Sequence, residues 1–463
     1  MFRIRSAAAL LALSLIAMAG PVMAAPAVST AVAFSLSNTA GNPVKGPDGA
    51  LYGTANPITS VAGGVIWRAT VDGSEVRTLY QLTPDDAVAP GAGLTVGSDG
   101  LLYGTTKFGR GSEVAGAGAI FKIAPNGTGF AIIFRFAPVT SINAELSPIN
   151  TNGAYPEAEL IEGHDGMLYG AARTGGTNGT GTLFRIARDG TGFQVLHTFA
   201  NNTSAANSGL TVTVDGAAPT GQLLQDADGV LYGTASSGGN NGRGTVFRIN
   251  ADGTGFQVLH HFSAAVFTDG VAKNEDGTLP FGGLVDGNDG FLYGMASQAG
   301  QNGFGVIYAI KPDGSEFNVL HTFSNTDGAR PLAELQLGTD GKLYGTTAGG
   351  GVSSGTTVSG LGTFFAIDRT GTNFTKLHDF VNVNGTGPSS KVIEQAPGVF
   401  LGLTSSSGNC GYGTIWRYSA AGDTVTGNTR CGQKRNNNSG GGNAGFAVLL
   451  LLVGLGLLRR RPA

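Results

Sequence analysis

Residues 228–249 read DGVLYGTASSGGNNGRGTVFRI, and residues 165–186 read DGMLYGAARTGGTNGTGTLFRI. The two stretches lie 63 residues apart. A loop that cradles phosphate sits at a helix N-terminus or in a backbone nest beside a cation. Here no helical period follows, and GGNNGRGT (238–245) is neither GxGxxG nor GxxxxGK[ST]. The loop also recurs along the chain in altered form. It reads as a structural unit: a wide turn that needs glycine at positive φ and close packing between neighbouring units.

The anchor of the unit is Leu-Tyr-Gly, at Tyr52, Tyr103, Tyr169, Tyr232, Tyr293 and Tyr344, with a worn seventh copy that places Leu401 in the tyrosine slot. The spacings are 51, 66, 63, 61, 51 and 57 residues, a period typical of propellers or solenoids. An apolar segment such as AELIEGH (158–164) supplies a first strand, and Asp-Gly then predicts a type I′ hairpin turn. Leu-Tyr-Gly lies on the second strand. The glycine-rich loop leads to a third (GTLFRI, 181–186), and another Asp-Gly leads to a fourth (FQVLHTF, 193–199). Seven such units predict an all-β fold, a seven-bladed β-propeller of four-stranded antiparallel blades. Residues 29–36, STAVAFSL, look like an orphan fourth strand that completes the last blade and closes the ring.

The pattern Asp-Gly-x-Leu-Tyr-Gly-Thr with Gly-Gly-x-x-Gly-x-Gly-Thr-x-Phe resembles the GloVer (Gloeobacter–Verrucomicrobium) tandem repeat over about residues 30–417. It departs from it in unit one, where ANPITSVAGG (55–64) replaces the glycine-rich loop, and in unit seven. The resemblance implies an exported propeller with an anchoring tail, and little about activity.

Both ends of the chain carry addresses. Arg3 and Arg5 precede a short apolar run, and Val22-Met23-Ala24 fits signal cleavage after Ala24, so 1–24 reads as a signal peptide. Residues 26–432 are then the propeller, 433–443 a Gly/Asn-rich linker, and 444–463 a hydrophobic sorting or anchor segment. Gly440, Gly441 and Gly442, an apolar run and Arg459–Arg461 resemble GlyGly-CTERM tails. That resemblance implies a sorting protease beside the export machinery, display at the surface of a Gram-negative cell, and membrane contact only through the tail before processing. A plain C-terminal anchor is the alternative. Removing both ends takes away five arginines and no acidic residue, carrying the net charge from −3 to −8. With 13% charged residues, the chain lacks the basic field of a nucleic-acid binder.

Candidate chemistry is sparse. The Asp-Gly-Thr-Gly-Phe turns miss the register of sialidase Asp-boxes by one residue. His197, His260, His321 and His378 share one slot of the outermost strand, where they diverge from the axis and read as packed residues. A second series precedes the first strands: Asp86, Asn152, Asp215, Asp276, Asp327 and Asn384, each four residues before a proline. Its side chains would either ring a channel mouth as ligands for Ca²⁺ or sugar hydroxyls, or form Asx-turns at chain entry. No other cofactor is implied. Cys410 and Cys431 form a plausible disulfide in an exported protein, stapling the last blade. The loops entering the blades (137–156, 200–219) are rich in Asn, Thr and Ser and favour recognition over acid–base chemistry. The expectation is a surface-displayed, noncatalytic binding or extracellular-matrix interaction propeller, with polysaccharide or a surface protein as its candidate partner. The alternatives are a glycan hydrolase or lyase with Glu157, Glu159 and Asp215 at the channel mouth, and a purely structural surface protein.

Overall fold

The computed structural model describes residues 27–422, apart from 34–36, 58–62, 73–74, 87, 110–115, 144–146, 204–210, 269, 352–359, 409–410 and 412. Met1–Cys431 and Gly432–Ala463 are separate units. The expected sites at Ala24, Cys410, Cys431, Gly440, Gly441 and Gly442 lie outside the described residues. Within the described residues no helix is long and apolar enough to cross a membrane.

Seven small antiparallel sheets form a seven-bladed β-propeller. Blade 3 shows the plan: Ile161–Glu162, Met167–Ala172, Thr182–Ala187 and Gln194–Thr198 pair in that order. The ring is closed by the N-terminal strand. Ala27–Ala33 pairs antiparallel with Thr414–Ser419 of blade 7, Ala27 opposite Ser419 and Ala33 opposite Thr414. The strand begins two residues earlier than the sequence pattern suggested. Two extra hairpins rise from the entry loops: Ser141–Ile142 with Pro148–Ile149, and Val266–Thr268 with Val271–Lys273.

Leu-Tyr-Gly recurs because each residue has a packing job. Leucine enters the core between blades. The tyrosine hydroxyl donates to an aspartate of its own turn, as Tyr52 to Asp48, Tyr103 to Asp99 and Tyr169 to Asp165, each at 2.8 Å. Blade 4 departs: Tyr232 uses Asp226, not Asp228. The glycine lies opposite a third-strand aromatic, Gly53 opposite Trp67 and Gly233 opposite Phe247. A Cβ at Gly233 would stand 2.6 Å from the Phe247 ring.

The Asp-Gly turns are not type I′. At 163–167, Gly166 N–H donates to Gly163 O and Gly163 N–H to Met167 O, with positive φ at Gly166 but not at Asp165. This is a type I turn followed by a left-handed glycine, the three-residue hairpin with a G1 bulge. The aspartate ties the turn to its strand: Asp165 Oδ1 accepts from Met167 N–H while Oδ2 holds Tyr169.

Neighbouring blades are hooked together at one recurring place. The residue before each entry proline has positive φ: Ala89, Tyr155, Ala218, Leu279, Arg330 and Gly387. Its N–H donates to the preceding blade, as Tyr155 to Ala117 O, Leu279 to Arg243 O and Arg330 to Phe304 O. The proline then seats on a glycine of that blade. Cβ atoms at Gly181, Gly244 and Gly305 would lie 2.7, 2.5 and 2.8 Å from Cδ of Pro219, Pro280 and Pro331. Tight inter-blade packing is therefore the role of the last glycine in the glycine-rich loop.

Blade 5 carries one misfit. Tyr308 occupies the aromatic slot held elsewhere by Phe or Trp, is fully buried, and its hydroxyl has no hydrogen-bond partner. An unsatisfied buried hydroxyl is destabilising, typically by about 1–3 kcal/mol. Tyr308→Phe is expected to stabilise the fold by about 1 kcal/mol. A guanidinium titration reads this as a higher midpoint at unchanged slope; a lower midpoint would mean the hydroxyl is satisfied.

Candidate functional site

Seven inner segments leave a cavity of ≈ 180 Å³ on the axis, lined among others by Asn42, Ala92, Glu159, Gln222, Gly282, Glu334 and Ser389. Most of its chemistry comes from one column of the repeat, ten residues before the tyrosine slot: Asn42, Gly93, Glu159, Gln222, Gly283, Glu334 and Lys391. Asn42, Glu159, Gln222 and Glu334 line the cavity, and Gly93, Gly283 and Lys391 stand against the two glutamates. Glu159 is only 8% exposed, and its Oε1 accepts from Asn42 N–H at 2.6 Å and Gly93 N–H at 3.0 Å. Glu334 is equally enclosed, with Lys391 Nζ 3.3 Å from its Oε2. The two glycines make room for the glutamates of the next blade: a Cβ at Gly283 would lie 2.5 Å from Glu334 Oε1, and one at Gly93 would overlap Glu159. Burial, and then the charge of Glu334, push the Glu159 carboxyl up to about 7. Glu157 lines the same cavity and is held by Lys107 at 3.0 Å and Arg173 at 3.3 Å.

The Asp/Asn series is placed elsewhere. Each of five members caps the exit of the preceding blade's outer strand by accepting a backbone N–H: Asp86 from Thr83, Asn152 from Ala137, Asp215 from Ala200, Asp276 from Ser263 and Asp327 from Ser324. Three also hold the histidine of that strand: His197 to Asp215 at 2.8 Å, His260 to Asp276 at 2.9 Å and His321 to Asp327 at 3.1 Å. Each ring stacks on a phenylalanine of the next blade: Phe256, Phe317 and Phe374, at 3.7–3.8 Å. Burial pushes the Asp276 and Asp327 carboxyls up, but the bonds from histidine and serine outweigh it and leave both below the usual range. Asn384 has no such bond; its backbone carbonyl accepts from Thr414. His378 Nε2 is consequently buried without a partner, and burial lowers its pKa to about 4. The series is thus not gathered around a channel mouth. Among the described residues no three His, Cys, Asp or Glu side chains could hold a metal. Asp215 stands with His197, apart from Glu157 and Glu159.

The face that carries the glycine-rich and entry loops holds a groove of ≈ 650 Å³ across blades 5–7. Its lining includes Phe267, Gln298, Asn325, Arg330, Thr386 and Ser406. Phe267 is 76% exposed on its hairpin, and Ile142, Val214 and Val383 are also exposed on entry loops. A second groove, ≈ 760 Å³ on the Asp-Gly-turn face, neutralises itself through Arg369–Asp289 at 3.1 Å and Lys342–Asp368 at 3.5 Å.

Sequence reading found Glu157 and Glu159 but missed Asn42, Gln222, Glu334 and Lys391. A usable signal existed: aligned on the tyrosine, this column alone turns polar or glycine before an otherwise buried apolar position. Phe267 and Arg330 left no such mark, because exposure is a property of the folded loops.

The model of the Gloeobacter/Verrucomicrobia repeat matches at residues 23–213, 129–275, 203–357 and 270–441, which together run almost the whole length. The chain belongs to this family. No curated protein matches this Gloeobacter/Verrucomicrobia repeat protein in sequence. Solved structures resemble it in fold alone. An oligogalacturonate lyase from Vibrio parahaemolyticus is 10% identical at TM-score 0.50, over 85% of this chain and 97% of that one. A putative 6-phosphogluconolactonase from Bacteroides uniformis is 15% identical at TM-score 0.42, over 80% and 90%. A chain of a nidogen/laminin complex is 16% identical at TM-score 0.39, over 71% and 93%.

Proposed function

We propose that this repeat propeller is a noncatalytic binding module, displayed at the cell surface, whose loop face holds polysaccharide. One observation carries the reading: an open groove of ≈ 650 Å³, with an exposed phenylalanine on its edge and neutral amides and hydroxyls along its floor. Ligand clefts typically span about 300–1,000 Å³ and combine apolar surface with a few fixed polar groups. Display is supported by the signal-like segment ending at Ala24 and the glycine-hydrophobic-arginine tail, which a sorting protease would process. The channel carboxylates do not favour the hydrolase or lyase alternative. Their cavity is below that size range, and the Glu159 oxygen that faces blades 1 and 2 is engaged by two backbone amides.

The test is retention of glycans by the full purified chain in mild detergent, followed by mass analysis of the bound material. Binding without any change of ligand mass overnight is the expected result, with at least fivefold weaker binding in Phe267→Ala. Shortened or unsaturated products would favour an enzyme, and absence of any glycan binding would leave a structural surface protein.

A further inference from the structure

We propose that the loop-face groove takes an acidic glycan, one whose uronates are separated by neutral sugars, and that Arg330 receives the carboxylate. This rests on the reading that the loop face binds polysaccharide, and it names the ligand class.

The argument starts from a departure within the repeat. Six copies of the inter-blade hook place Ala89, Tyr155, Ala218, Leu279, Arg330 and Gly387 at positive φ. Only the copy entering blade 6 is charged. Left-handed backbone disfavours any side chain, and glycine is the unstrained choice. The hook itself uses only backbone: Arg330 N–H donates to Phe304 O, and Ala348 N–H donates to Arg330 O. An arginine side chain adds nothing to this joint, yet the joint bolts its Cα to two blades and gives the guanidinium a rigid base.

Its surroundings point to an anion from outside. Arg68, Arg173, Arg188 and Arg369 each meet an aspartate or glutamate of this chain. Among the described residues no carboxylate is paired with the exposed Arg330. Among the described residues that line the groove, Arg330 is also the sole charged side chain. A planar guanidinium receives a carboxylate through two parallel hydrogen bonds. Gln298 and Asn325 beside it offer amide donors and acceptors for hydroxyls. The exposed Phe267 ring presents an apolar face to a sugar. One cation matches one negative charge per bound segment. A polymer charged at every unit would leave its other charges unmatched on an acidic protein.

The test uses the full chain on an array of glycans whose uronates alternate with neutral sugars, each printed beside its carboxyl-reduced counterpart. The expected result is binding that weakens at least tenfold on carboxyl reduction. Arg330→Gln should lose the same tenfold for the acidic forms only, with Arg330→Lys between. Phe267→Ala should weaken acidic and reduced forms alike. Both side chains are exposed, so melting temperatures should stay at the wild-type value. Equal binding of acidic and reduced glycans, or Arg330→Gln that binds as wild type does, would overturn the acidic assignment while the polysaccharide reading stood. Failure of every glycan to bind would overturn both.

Discussion

Gly244→Ala is expected to destabilise the propeller by about 3 kcal/mol or more. The glycine has φ +105, and an added Cβ would lie 2.5 Å from Pro280 Cδ and 2.7 Å from Ala235 O. Two costs combine: backbone strain of about 1–2 kcal/mol for a side chain at positive φ, and about 1–3 kcal/mol for forcing atoms into a full interface. Gly290→Ala separates them. Gly290 has φ +88 with nothing within 4 Å of its added Cβ, so strain alone applies, about 1 kcal/mol. Adding Pro280→Ala to Gly244→Ala removes the partner and should return part of the overlap cost, read as a coupling energy in a double-mutant cycle. Equal losses for Gly244→Ala and Gly290→Ala would show that the blade interface yields freely and that the proline contact does not matter.

The second large effect is electrostatic. Glu159 has its folded pKa raised to about 7 from an ordinary 4.5. Between those values the native state keeps a proton that the unfolded state has released, so stability is greatest below pH 4.5 and falls as pH rises through 7. Above pH 7 the full penalty is on the order of 3 kcal/mol. Glu159→Gln keeps an oxygen that can accept from Asn42 and Gly93 and carries no charge. The variant is expected to match wild type near pH 4.5 and to exceed it by up to about 3 kcal/mol at pH 8. His378 acts with the opposite sign. Its folded pKa is lowered to about 4 from 6.5, so its contribution is present above 6.5 and lost as pH falls toward 4. Both proteins share His378, so their difference curve isolates Glu159. Parallel stability profiles from pH 4 to 8 would mean that Glu159 ionises as a solvated carboxylate despite its burial.

The repeat period, the number of blades and the closing strand were legible in the chain, because each rests on local pattern. Leu-Tyr-Gly marks a strand that packs leucine inward, ties tyrosine to its turn and leaves glycine under an aromatic. That work is done within about twenty residues, so it is written within about twenty residues. The turn type departs from the type I′ expectation because only the glycine of each Asp-Gly pair takes positive φ, and the aspartate, such as Asp165 with both carboxylate oxygens engaged, does not. The roles of the Asp/Asn series were not legible. Asp215 and His197 lie 18 residues apart, and only the blade's curvature aims one at the other. The axial column was visible only as a column, since Asn42 and Glu159 meet across 117 residues once the ring is closed. Arg330 shows the division most plainly. The chain determines that an arginine precedes a proline. Only the tertiary structure decides that its backbone is bolted between blades and its charge faces an open groove, because exposure and pairing depend on which distant loops come to stand beside it.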